Sequence, residues 1–84
     1  MPIISNFSGM TVKMYYLSKE HNPPHIHFIY GEYIASIDIV NLEVLEGDLP
    51  KKKLKKAMEW ISIHKEEIME MWETQQFKKI KPLE

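Results

Sequence analysis

Gly31-Glu32 separates two runs of strand-forming residues, His25–Tyr30 and Tyr33–Ile39, that sort into two distinct faces in one pairing register. A two-residue loop with glycine first suits a type II′ turn, whose first central residue needs positive φ. That register sets Tyr30 opposite Tyr33, Phe28 opposite Ala35 and Ile26 opposite Ile37, giving an apolar face. The other face carries Ile29 with Ile34, His27 with Ser36 and His25 with Asp38. A slip of one residue would scramble both faces. The chain is therefore committed to an antiparallel hairpin with one side awaiting cover.

The flanking segments extend the same pattern. Ile3–Phe7 reads as a short strand, Ser8-Gly9 as a turn and Thr11–Leu17 as a second strand. Ser18–Pro24 reads as a loop, because Pro23 and Pro24 cannot donate to a ladder. After a turn at Asn41, Leu42–Glu46 supplies an edge strand.

From Lys51 to about Gln76 the period becomes helical, with Asp48 as the expected N-cap and Pro50 in the first turn. Leu54, Ala57, Met58, Ile61, Ile68, Met69 and Trp72 form one stripe, with Trp60, His64 and Met71 on its flank. Ile63 points away, so a bend near residues 62–65 is the alternative to a straight rod. A straight helix of about 26 residues runs about 39 Å, whereas strands of about five to seven residues span about 17–24 Å. The helix must fold back at that bend, or overhang its sheet with Met69, Met71 and Trp72 and seek a second surface. These elements define an α+β domain: an antiparallel sheet of four to five strands (about residues 2–46), a long C-terminal helix packed on it (about 49–76) and an irregular tail (77–84).

At 84 residues without cysteine, neither a disulfide nor a thiolate metal site supports the fold. A domain of this size buries only about 60–65% of its unfolded surface. Further stability must come from an efficient core, a metal or a partner subunit. The formal net charge of −1 excludes a strongly basic nucleic-acid binder on bulk charge, leaving room only for a local basic patch. The first residues lack a basic region followed by an apolar one, and no apolar run approaches the roughly 20 residues of a membrane span. The expected location is the cytoplasm.

Three of the four histidines fall within His21-Asn22-Pro23-Pro24-His25-Ile26-His27. Imidazole titrates near neutrality and is the commonest metal ligand. On a strand, His25 and His27 share a face with Cβ atoms about 7 Å apart, and His21 could return over them from the Pro-Pro turn. With Asp38 as ligand or as carboxylate behind an imidazole, the set suits zinc or another divalent ion. The same residues could work without metal: a His25–His27 pair backed by Asp38 can cleave RNA through its 2′-hydroxyl by acid–base catalysis. The plainer reading leaves both histidines as solvent-facing strand residues or partner contacts.

Lys51, Lys52, Lys53, Lys55 and Lys56 crowd the positive end of the helix dipole, where cations are unfavourable. They read either as an anion or nucleic-acid site or as a solvated face with a Lys55–Glu59 pair. His64 reads as a half-buried packing residue beside Trp60.

Met1-Pro2, Ile4-Ser5, Phe7, Gly9, Met14-Tyr15-Tyr16, His21, Pro23-Pro24-His25, His27, Tyr30-Gly31, Glu46-Gly47, Leu49-Pro50, Trp60, His64 and Trp72 together resemble a small bacterial family, domain of unknown function 4160. The resemblance implies a short single-domain protein, often encoded beside a second small protein of the domain-of-unknown-function 2442 type in what are suspected to be toxin–antitoxin pairs. It implies no established activity. The expected function is thus one component of a two-protein toxin–antitoxin module acting through a histidine-lined polar face, with a homodimer or the cognate neighbour as partner. The alternatives are a metal-assisted or histidine-based ribonuclease or nucleic-acid binder, and a non-enzymatic interaction module.

Overall fold

The computed structural model describes residues 3–14 and 24–83. Five strands form one antiparallel sheet in simple sequential order: β1 (Ile3–Phe7), β2 (Met10–Lys13), β3 (His25–Tyr30), β4 (Tyr33–Asp38) and β5 (Val44–Gly47). One helix follows, α1 (Lys51–Thr74). The α+β architecture is the expected one, at the upper strand count. The far end of the expected second strand and residues 18–23 of the expected Ser18–Pro24 loop lie outside the described residues.

The β3–β4 register pairs His25 with Asp38, His27 with Ser36 and Tyr30 with Tyr33. Gly31 takes φ +58°, the positive value that the first position of a type II′ turn demands. Ile26, Phe28, Ala35 and Ile37 are completely buried under the helix, so alternation alone places His25, His27 and Ser36 on the reverse face. Tyr30 and Tyr33 stack with centroids 6.4 Å apart, but Tyr33 is 44% exposed, so the pair closes the sheet's end and does not enter the core.

Two features of the helix depart from expectation, and a third decides between the straight and the bent alternatives. Its N-cap residue is Pro50, with no side-chain cap; Asp48 sits too far back to receive the first free N–H groups. Trp60, expected on the flank, is fully buried at the centre, stacked on Phe7 (5.6 Å) and edge-on to Phe28 (6.0 Å). The broad indole fills the space between these two rings, while Leu54, Met58 and Met69 are left at the margin of the core. Finally, the rod is not straight: His64 leaves helical geometry at φ −107° and ψ 19°.

That bend removes the overhang. A straight 24-residue helix would span about 36 Å, yet the longest principal extent of the molecule is 31 Å. Beyond His64, Met71 and Trp72 are buried within the chain itself. The overhang therefore no longer argues for a dimer. The break also puts Glu66 and Glu67 near the start of the second half, where the helix dipole favours acid. The helix closes at Gln75 in left-handed geometry, its N–H donating to the Met71 carbonyl at 2.8 Å.

The tail has no regular structure but is packed. Ile80 is buried and donates its N–H to the Ile4 carbonyl (2.8 Å), covering the outer edge of β1. The Lys81 carbonyl accepts the Trp60 indole N–H at 2.9 Å. No helix of the described residues is long and apolar enough to cross a membrane.

Candidate functional site

On the reverse face of the sheet, pairing across four strands lines up Lys13, His27, Ser36 and Glu46 in one row. Directly opposed residues on antiparallel strands share a face, so this row is a continuous polar band. His27, Ile34, Ser36, Glu46 and Gly47 line a groove of about 270 Å³. His25 stands beside it, its ring 5.1 Å from that of His27 and nearly perpendicular to it.

Glu46 is the residue that sequence reasoning missed. It arrives because the β4–β5 ladder shifts between Ser36 and Ile37, pairing Ser36 with Glu46 and Ile37 with Val44. A bulge of this kind cannot be read from alternation, since the extra residue breaks the period. Gly47 then lets β5 approach closely: at φ +73°, any Cβ there would overlap the Ile34 carbonyl oxygen.

Asp38 takes a different part from the one expected of it. It does lie opposite His25, but its Oδ1 accepts the Val40 N–H (2.8 Å) and the Asn41 N–H (3.0 Å), while Oδ2 accepts the Asn41 side-chain amide (3.3 Å). Burial by itself would raise its pKa. The donors from Asn41 and Val40, with the charge of Lys65 nearby, outweigh burial and hold it below the ordinary carboxylate range. Asp38 fastens the turn after β4, and the carboxylate that acts electrostatically on His27 is Glu46.

His27 is half-buried, and its Nδ1 is shielded from solvent. Its pKa lies below 6.5: desolvation lowers it most, the neighbouring His25 lowers it further, and Glu46 opposes both. His27 is accordingly neutral at pH 7. The unfolded chain binds this proton more readily than the native one, so the contribution to stability declines as pH falls below about 6.5. NMR titration should find His27 below that value, lower still in Glu46→Gln and higher in His25→Gln. A His27 pKa above 6.5 in the intact domain would contradict this account of the groove.

The reverse face is less open than the hairpin alone suggests. The Trp72 ring lies 5.1 Å from that of His25, because the bend carries the last helical turns to this end of the sheet. His21 lies outside the described residues. Among the described residues, no group of three His, Asp or Glu side chains is placed to hold a metal ion. His25 and His27 are the two described imidazoles brought together there, and the Asp38 carboxylate is engaged by its own turn.

The lysines divide. Lys53 donates to the Ser8 carbonyl (2.7 Å) and lies over the Tyr30 ring (4.8 Å), and Lys56 donates to Ser8 Oγ (3.2 Å). These two fasten the β1–β2 turn to the helix, which explains their place in a dipole environment that disfavours them. Lys51, Lys52 and Lys55 remain exposed and, with Leu54 and Met58 at the margin of the core, line an apolar groove along the first turns of the helix. The five lysines therefore do not converge on the histidines. His64 is half-buried as expected, its ring 5.3 Å from Trp60 and its Nδ1 3.6 Å from Glu67 Oε1.

Fold and site together define a small α+β domain whose sheet is covered on one side and carries a polar groove on the other. The family model Domain of unknown function (DUF4160) matches residues 9–73, and the chain belongs to that family. No curated protein and no solved structure matches it.

Proposed function

We propose that the protein is one component of a two-protein module of toxin–antitoxin type, working in the cytoplasm through the reverse face of its sheet, with His27 at the centre. The observation that carries this reading is the groove that sets His27 between Ser36 and Glu46 on the side away from the core. Half-burying an imidazole costs solvation, and on this face the cost is not returned as packing beneath the helix. A desolvated titratable group beside a specific charge in a concave site is the arrangement expected of a working surface.

A second reading, cleavage of an RNA phosphodiester, is favoured by the closeness of the His25 and His27 rings. Neutral His27 would take the 2′-hydroxyl proton while the neighbouring His25 ring delivers one to the departing 5′-oxygen. The test is growth of a host expressing the chain with and without its genomic neighbour, repeated with His27→Ala and His25→Gln. The module reading expects a neighbour-dependent growth effect that His27→Ala abolishes while circular dichroism stays native. An effect indifferent to His27→Ala overturns it. RNA cleavage by the purified protein, lost in both variants, would select the catalytic form.

A further inference from the structure

The two edges of the sheet are treated differently. The outer edge of β1 is met by the tail through Ile80, whereas among the described residues no backbone group pairs with the outer edge of β5. All four β5 residues are exposed, Val44 at 37% and Leu45 at 40%. Beside them on β4, Tyr33 is 44% and Ile34 54% exposed. An open strand edge with apolar side chains is a template for another strand.

Charge indicates what kind of strand. Between Gly31 and Pro50 the chain has Glu32, Asp38, Glu43, Glu46 and Asp48 and no lysine, arginine or histidine, although the whole chain is nearly neutral. Three of these carboxylates, Glu43, Glu46 and Asp48, lie on or next to β5. A second copy pairing β5 with β5 would bring two such sets together, and like charges on facing strands repel.

We propose that the β5 edge receives an extended, basic segment of a partner protein by strand addition. A residue opposite Glu46 in the added strand points to the same face as Glu46, into the groove it shares with Ser36 and His27. A lysine or arginine there meets the Glu46 carboxylate, while apolar residues between the cations cover Val44 and Leu45. The proposal rests on the two-protein reading and gives the partner a chemistry.

A fluorescein-labelled peptide alternating valine with lysine and arginine serves as probe, with its glutamate counterpart as control. Anisotropy should show binding of the basic peptide only. Glu43→Lys/Glu46→Lys should weaken it about tenfold or more, the scale of losing one good charge pair. Methylating the peptide's pairing amides should abolish it, and amide shift changes should map to Val44–Gly47. Equal binding of both peptides, no binding, or shift changes away from β5 would overturn the proposal and leave the acids as guards against self-association. So would a homodimer closed through β5. None of these readouts involves growth: a neighbour-dependent growth effect without peptide binding sinks the docking surface alone, and the reverse outcome sinks the module reading.

Discussion

Trp60→Ala is expected to leave the isolated domain largely unfolded on mild heating, with a loss of about 3–5 kcal/mol. The indole is completely buried, stacked on Phe7, edge-on to Phe28 and 5.3 Å from the His64 ring. It also satisfies the Lys81 carbonyl, which holds the tail in place. Truncation removes the transfer energy, opens a cavity that flat neighbouring rings cannot close, and orphans that acceptor. A domain of 84 residues has about 4–12 kcal/mol of stability in total, so one side chain carries a large share. At about 4–8 °C per kcal/mol, the midpoint should fall by roughly 12–40 °C. Trp60→Phe keeps most of the burial and should cost far less. Thermal and urea unfolding check both, and a loss below about 1.5 kcal/mol for the alanine variant would mean that the aromatic cluster is not the centre of the core.

Gly47→Ala is expected to detach β5 at a cost of about 3 kcal/mol. The added methyl would overlap the Ile34 carbonyl oxygen, which belongs to backbone and cannot swing aside, and the residue would keep φ +73° only under strain. The cheapest relief is for β5 to move away from β4, which withdraws Glu46 from His27. Because Glu46 raises the His27 pKa, its departure should lower that pKa. Hydrogen exchange separates local from global change: amides pairing Ala35–Ile37 with Val44–Gly47 should lose protection while those of Lys51–Thr74 keep theirs. Native protection across β4–β5 in the alanine variant would contradict the close approach.

The hairpin was fully legible from residues. Glycine at the first loop position, two tyrosines flanking it and strict alternation on both strands leave one register, and that register is the one found. His25 and His27 were placed on a shared face for the same reason. Asp38 and Glu46 show where such reasoning stops. Facing His25 says nothing of where a carboxylate spends its lone pairs, and Asp38 spends them on Val40 and Asn41. Glu46 reaches the site through a bulge that alternation cannot foresee.

Element types, strand order within the hairpin and the two faces of the sheet were settled by the amino-acid sequence alone, because turn chemistry and side-chain periodicity act over a few residues. The tertiary structure decided the direction of the bend at His64, the central place of Trp60, the tethering of Lys53 and Lys56 to the β1–β2 turn, and the choice of Glu46 over Asp38 as the neighbour of His27. Each depends on groups brought together across long stretches of chain, where packing volume and competition for hydrogen bonds, not local pattern, determine the lower free energy.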